Sequence, residues 1–283
     1  MGAALSSLTD IPRVVVATPL IVPLLGALVL LLWISSWLTA IVPYAGLFVG
    51  IIIFALLIGA MYAITNHAIS ASEVSLSQAG NLLRNRWLSL ILVYSLIVIS
   101  GIILSLLVLI PLIAVGLFAI ITGEILLLGV GLVVIAFFGI LIWFVFVLFV
   151  QFFIPAVSID NVGTIDAVQT TYRIARGDPL SVIGFTLIRI LLEWGPFLGG
   201  LIAAIVIGRD IFSMLVAEFQ AILADPPTDP TDQPDVIELM FSFSETTLLL
   251  TVIVLLVTGG IIGEILRILY TTIFFRRITP NRV

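Results

Sequence analysis

Long apolar runs dominate the pattern of hydrophobic and polar positions along this chain. Because a bilayer core of about 30 Å needs about 20 apolar residues in a helix, six of these runs are long enough to span a membrane. The runs are 14–33, 40–65, 88–110, 125–153, 180–207 and 246–275. The pattern predicts an all-α fold: a polytopic transmembrane helix bundle of about six spans, which forms a single membrane domain over 1–283.

One apolar segment does not fit this pattern, because 111–122 is too short to cross a bilayer by itself. It extends the third span, re-enters the membrane or lies at its interface. The sequence leaves these three alternatives open.

Two segments between the spans have the pattern of short amphipathic helices. In the first, 75–87, Ser75 and Gln78 match a capping box. Apolar residues recur at helical spacing in both segments: Leu76, Ala79, Leu83 and Trp87 in 75–87, and Ile165, Val168, Tyr172 and Ala175 in 164–177. We expect both helices to lie at the cytoplasmic lipid headgroups rather than to dock a partner. The predicted headgroup contacts are Arg84, Arg86, Arg173 and Arg176.

Arginine placement orients the predicted spans, because cytoplasmic loops carry an excess of basic residues. Arginines flank four alternating span ends: Arg13, then Arg84 and Arg86, then Arg173 and Arg176, then Arg276, Arg277 and Arg282. The opposite loops hold only Arg209 and are acidic, above all the outer loop 208–245. The expected location is the cell membrane, with both termini cytoplasmic and no cleavable signal peptide.

Composition narrows the chemistry. Hydrophobic residues make up 62% of the chain and charged residues 10%, so there is no room for a soluble catalytic domain. With no cysteine and one histidine, clustered metal ligands are not expected, nor is any cofactor. The net charge of -5 argues against binding nucleic acid. An acidic chain whose 11 basic residues are all arginine is typical of a high-salt or a GC-rich organism.

Four charged residues lie inside the last two predicted spans, where charges are costly and therefore informative. Counting about 1.5 Å per residue from the cytoplasmic ends, Arg189 and Arg267 lie about 13 Å deep. Glu193 and Glu264 lie about 18 to 19 Å deep by the same count. Because the spans are antiparallel, we expect Arg189 to reach Glu264 or lie beside Arg267, and Glu193 to pair with Arg267.

Small residues on the same two spans predict close helix packing. Gly195 and Gly199 form one GxxxG step, and Gly259 and Gly263 form another. Antiparallel packing predicts that Gly195 lies near Gly263 and that Gly199 lies near Gly259. In the fourth span, Gln151 is expected to hydrogen-bond a neighbouring helix.

Two interpretations of the intramembrane charges remain open. A neutral network of two arginines and two glutamates is a structural clamp that fixes helix packing, which we favour. The alternative is a proton or ion relay, or a site for a polar solute. The chain lacks HExxH, GxSxG, Walker A and dinucleotide-binding motifs, so no catalytic residue is predicted.

One region resembles a known family. The run from Phe152 to Asp160, continued by Asp166-Ala167 and Arg176-Gly177, is similar to a hallmark of uncharacterised haloarchaeal six-span membrane proteins. These resemble in turn the membrane domain that accompanies some glycerophosphodiester phosphodiesterases. The resemblance implies the fold and an archaeal, halophilic source. The phosphodiesterase barrel is absent, so it implies no hydrolase activity.

Three hypotheses for function follow. The leading one is a non-enzymatic membrane scaffold, assembly component or envelope factor, whose partners are the lipid bilayer and another membrane protein or a second copy of the chain. The second is a small-solute or ion transporter that uses the intramembrane charges. The third is a lipid-acting intramembrane enzyme.

Overall fold

A computed structural model describes residues 2–41, 45–122, 125–207, 209, 220 and 246–279. The helices of these residues are α1 (Gly2–Ala17), α2 (Ile21–Ile41), α3 (Ala45–Ala71), α4 (Leu76–Thr122), α5 (Ile125–Val150), α6 (Phe153–Ile159), α7 (Thr164–Gly177), α8 (Pro179–Ile207) and α9 (Thr246–Ile278). Within the described ranges there is no β-strand, which confirms the all-α fold. The outer acidic loop 208–245 falls almost entirely outside them.

Five helical segments are long and apolar enough to cross a membrane, and a bent pair of helices brings the number to six if it counts as one span. The five are Phe48–Ala71, Leu76–Ala119, Gly129–Ile159, Pro179–Val206 and Leu250–Ile278. The prediction of a multi-span helical bundle is therefore confirmed.

The bent pair is α1 and α2, and it replaces the straight first span expected over 14–33. The two helices meet at 103° across Thr18 and Pro19. Proline disfavours helical geometry in the residue before it, and its ring nitrogen has no hydrogen to donate. The Thr18 amide and hydroxyl both donate to the Val14 carbonyl and so close the last turn of α1. The sequence therefore supports two helices here instead of one.

Helix α4 is a single helix of 47 residues, about 70 Å long. It includes the segment 76–87, which was expected to be a separate cytoplasmic helix, and the segment 111–122. Pro111 cannot donate to the Leu107 carbonyl, yet the helix continues to Thr122. Of the three alternatives for 111–122, the structure has the extension of the third span.

A break separates α5 from α6 at Gln151 and Phe152. Pro155 explains its position, because proline has no N–H to donate to the carbonyl four residues earlier, at Gln151. Helix α6 is almost wholly buried and packs against α3, α4 and α7. The break thus turns the end of a long span into a short core helix.

The described chain divides into two compact units. The first comprises 1–189 and 268–283, and the second comprises 190–267. One part of the first unit's core lies between α3 and α4, where Ala60, Ile64 and Ala79 are buried. Leu90 packs so closely on Gly59 that a Cβ there would lie 2.7 Å from a Leu90 methyl group.

A fully buried aromatic cluster forms the other part of the first unit's core. Its members are Phe152, Phe185, Tyr270, Phe274 and Phe275. Phe185 is central: its ring centroid lies 4.3 Å from that of Phe274, 4.9 Å from that of Tyr270 and 5.1 Å from that of Phe152. The rings join α8, α9 and the break before α6.

The same cluster holds α1 in place. The Tyr270 hydroxyl donates a hydrogen bond of 3.1 Å to the Ala4 carbonyl. Further along α1, the Asp10 carboxylate accepts a hydrogen bond of 2.6 Å from Arg277. The first and last helices of the chain therefore make polar contacts at two points.

Helix α7 is amphipathic as predicted, but its buried face is not the apolar one. Ile165 is 73% exposed and Tyr172 is 53% exposed. Ala167, Thr170 and Thr171 are buried instead. Because these side chains are small, α7 packs closely on α6 and leaves its larger apolar residues outside, which suits a helix at a membrane interface.

We predict that Phe185→Ala destabilises the protein by about 3 kcal/mol, at the lower end of the range for buried phenylalanines because lipid reduces the transfer contribution. Unfolding of the purified protein in mixed micelles of a mild detergent and dodecyl sulfate measures this change. Leu187→Ala is the control, since Leu187 lies on the same helix and is 49% exposed. An equal loss in both variants would contradict the central role of Phe185.

Candidate functional site

The four charges predicted to meet inside the membrane fall in both units. Glu193, Glu264 and Arg267 belong to the second unit, and Arg189 is the last residue of the first segment of the first unit. Each group is therefore described within its own unit.

In the second unit, Glu264 and Arg267 pair with each other along one turn of α9. The Arg267 Nε donates a hydrogen bond of 2.9 Å to Glu264 Oε2, and a terminal nitrogen of the same guanidinium donates to the same oxygen. Both side chains are largely buried, at 15% and 21% exposed. The charges of this pair cancel, which lowers the cost of holding them inside a membrane.

Helices α8 and α9 touch backbone to backbone in this unit. A Cβ on Gly263 would collide with the Glu193 carbonyl oxygen, and one on Gly259 would lie 2.5 Å from the Pro196 carbonyl oxygen. A Cβ on Gly200 would lie 2.7 Å from the carbonyl oxygen of Leu255. Only glycine permits contacts this close, so three positions fix the register of the two helices.

This register differs from the predicted one. Gly263 lies against Glu193 and not against Gly195, a shift of two residues or about 3 Å along α8. Gly195 and Gly199 are exposed, and a Cβ on either would meet no atom of the described residues within 4 Å. The face of α8 that meets α9 carries Glu193, Pro196 and Gly200. Sequence reasoning missed Gly200, although it lies one turn after Pro196.

In the first unit, Arg189 takes part in a chain of polar side chains. An Arg189 terminal nitrogen donates a hydrogen bond of 3.2 Å to Gln151 Oε1. The Gln151 Nε2 donates one of 2.7 Å to the Thr186 hydroxyl, which in turn donates to the Val182 carbonyl. Gln151 is 7% exposed. Because Thr186 lies on α8, the expectation that Gln151 hydrogen-bonds a neighbouring helix is confirmed. The structure thus gives Arg189 an uncharged acceptor at the α5–α6 break.

The predicted headgroup arginines differ in what they contact. Arg84 and Arg176 are exposed. Arg173 is exposed too and lies 3.4 Å from the Gln169 carboxamide oxygen. Arg86 is half-buried and donates a hydrogen bond of 2.9 Å to Asn161 Oδ1, so it joins α4 to the loop after α6.

A cavity of about 350 Å³ lies between α7, the start of α8 and the end of α9. Arg173 and Asp178 are the charged residues in its lining. The Asp178 carboxylate accepts hydrogen bonds from the Ser181 hydroxyl and the Ser181 N–H, which lower the pKa of Asp178. With Pro179 next to it, Asp178 is the N-cap of α8, so its carboxylate has a structural role. Among the described residues, no group of acidic or histidine side chains is placed to hold a metal ion.

We predict that Gly263→Ala destabilises the second unit by about 1 to 3 kcal/mol, because the new methyl group must displace a backbone carbonyl. Gly199→Ala should leave stability unchanged or raise it by up to about 1 kcal/mol, since alanine favours helix and the position is open. Unfolding in mixed micelles measures both changes. Equal effects at the two glycines would contradict the observed register.

We predict that Gln151→Leu costs about 2 kcal/mol, because it removes one acceptor of the Arg189 guanidinium and the donor to the Thr186 hydroxyl. Gln169→Leu, on the exposed face of α7, is the matched control. The same unfolding measurement applies, and a stability equal to that of the control would show that Arg189 does not depend on Gln151.

Comparison with known proteins gives one match. A model of a family described as a domain of unknown function, DUF7847, matches residues 1–278. No curated protein and no solved structure matches the chain. Because the match covers nearly the whole sequence, the chain belongs to the DUF7847 family.

Proposed function

We propose that this protein is a non-enzymatic membrane scaffold or assembly factor, which holds another membrane protein or a second copy of itself within the bilayer. The observation that carries the proposal is the closed contact between α8 and α9, together with an exposed apolar hairpin elsewhere in the chain. The first argues against transport along the charges, and the second offers a surface for assembly.

The charges of the second unit support a structural role. Glu264 and Arg267 pair within one helix, so their two charges neutralise each other without a ligand. Backbone contact at Gly200, Gly259 and Gly263 leaves no room between α8 and α9 for a solute or a file of water molecules. A proton or ion relay along these charges needs such a space, whereas a structural clamp that fixes helix packing does not.

The hairpin of α4 and α5 supports lateral assembly. The apolar stretch of α4 from Leu88 to Thr122 is about 50 Å long. A bilayer core of about 30 Å accommodates about 39 Å of helix at a tilt of 40°, the upper end of the usual range. The far end of the stretch is exposed, with Ile110 62% and Ile121 81% accessible. Hydrophobic mismatch carries a modest free-energy cost, and this cost drives some helix–helix association in membranes.

The arginine distribution supports a place in the cell membrane with both termini cytoplasmic, and the acidic composition without lysine supports a halophilic source. Basic residues at the end of α9 include Arg276 and Arg277, as expected for a cytoplasmic end. Helix α1 contacts the same end of α9 through Asp10 and Arg277. This contact supports the proposal that both termini lie on one side of the membrane.

The first experiment tests transport against the structural role. Purified protein is reconstituted into liposomes that contain a pH-sensitive dye, and proton flux is measured after a pH jump. We expect the flux to equal that of liposomes with Glu264→Gln protein and that of protein-free liposomes. A flux that the wild type supports and Glu264→Gln abolishes would replace the scaffold with a transporter.

The second experiment tests assembly through the hairpin. A Cβ on Gly131 would lie 2.5 Å from a Val115 methyl group, so Gly131→Leu should force α4 and α5 apart. Gly129→Leu is the matched control, because Gly129 is exposed and its added Cβ would meet no described atom within 4 Å. Membranes are extracted with a mild detergent and the size of the complex is measured by native electrophoresis.

We expect the wild type and Gly129→Leu to migrate in the same complex, and Gly131→Leu to lose most of it at an equal level in the membrane. Co-purification of two differently tagged copies distinguishes self-assembly from a different partner. A wild type that migrates as a single chain would refute the proposal.

A further inference from the structure

A second cavity in the first unit has a different character from the first. It encloses about 210 Å³ between the end of α3, the start of α4 and the end of α6. This volume corresponds to about seven water molecules at roughly 30 Å³ each. It is smaller than the pockets of about 300–1,000 Å³ that hold drug-sized ligands, so it suits a group no larger than one sugar ring.

Uncharged hydrogen-bonding side chains dominate the lining. Gln78, Asn81 and Asn85 recur at helical spacing and form one polar face of α4. Asn66 and His67 line the cavity from α3. No aspartate, glutamate, lysine or arginine of the described residues lines it.

Ser158, which lines the cavity, provides a second observation that indicates an occupant. Its side chain is 7% exposed. Its hydroxyl oxygen is buried and has no hydrogen-bond partner among the described residues. Buried polar atoms are nearly always satisfied, so an unsatisfied hydroxyl that lines a polar cavity indicates a bound group or water that completes it.

A hydrogen bond between Arg86 and Asn161 joins α4 to the loop after α6 beside the cavity. The Arg86 Nε donates to Asn161 Oδ1, which orients the Asn161 amide group. Asn161 has a φ of 53°, a left-handed conformation that asparagine tolerates better than most residues. The hydrogen bond from Arg86 therefore orients one polar side chain of the lining, that of Asn161.

We propose that this cavity binds a neutral polyol group, such as a single sugar ring or a glycerol moiety. Each hydroxyl of a polyol both donates and accepts, which matches carboxamide and serine side chains that do the same. A charged ligand would lose its hydration and meet no carboxylate, lysine or arginine of the described residues in this lining. The cavity lies where the candidate spans Phe48–Ala71 and Leu76–Ala119 meet, so the polyol comes either from a glycolipid headgroup or from solution.

The test uses protein purified in lauryldimethylamine oxide, which has no sugar headgroup to compete. Methyl glucoside is the soluble probe, measured by saturation-transfer NMR. Monoglucosyl diacylglycerol in phosphatidylcholine nanodiscs is the lipid probe, measured by native mass spectrometry. Phosphatidylglycerol nanodiscs provide a charged comparison.

Ser158→Ala is the main variant, and Ser77→Ala is its control because Ser77 is exposed and does not line the cavity. We expect Ser158→Ala to weaken binding of the glucosyl probe about threefold to tenfold, the effect of losing one hydrogen bond. The midpoint of thermal unfolding without ligand should stay equal or rise, because a buried unsatisfied hydroxyl is removed. Asn81→Leu is a second variant. Asn81 is exposed and lines the cavity, so this change should also weaken binding of the glucosyl probe.

Binding of methyl glucoside alone, or of the glucolipid alone, supports the proposal and identifies the source of the polyol. Binding of neither probe overturns it. Equal binding by the wild type, Ser158→Ala and Asn81→Leu also overturns it. A preference for phosphatidylglycerol that disappears at high salt would contradict the proposal that the cavity selects a neutral polyol.

Discussion

The structure depends on the requirement that backbone N–H and C=O groups find partners within the protein, because the bilayer core offers no water. Helices meet this requirement along most of the described chain. Where proline interrupts the pattern in the first unit, a polar side chain lies at the interruption: Thr18 bonds the last turn of α1, and Gln151 lies at the break before α6. The break at Gln151 then brings together a carboxamide, a hydroxyl and a guanidinium in the interior. These polar side chains of the first unit therefore lie where its helices end.

In the second unit, α8 and α9 satisfy their backbone N–H and C=O groups as helices and also pack very closely against each other. Gly263 and Gly259 let α9 approach the backbone of α8, and this approach determines which side chains have space. Glu264, next to Gly263, pairs along its own helix with Arg267. Charge and packing are thus parts of one arrangement, because Glu264 of the ion pair is the neighbour of Gly263, at which the two helices touch.

Much of the fold follows from the sequence, because a run of apolar residues has few alternatives to a spanning helix. The details were harder to predict. The proline at 19 divides the first span, and no local pattern separates the segment 76–87 from the span after it. Antiparallel pairing of the two GxxxG steps placed Gly263 against Gly195, two residues from its contact at Glu193, since the sequence does not tell which residues of α8 meet the glycines of α9. The polar cavity was not predicted at all, because its asparagines are uncharged and distant in sequence, so that only the fold brings Asn66 and Asn85 together.

The attachment of α1 also constrains how the chain assembles. Two hydrogen bonds of α1 run to Tyr270 and Arg277, which lie on α9 at the other end of the described chain. These two bonds can form only after α9 has been synthesised. The attachment of α1 to α9 is therefore a late step in the folding of the first unit.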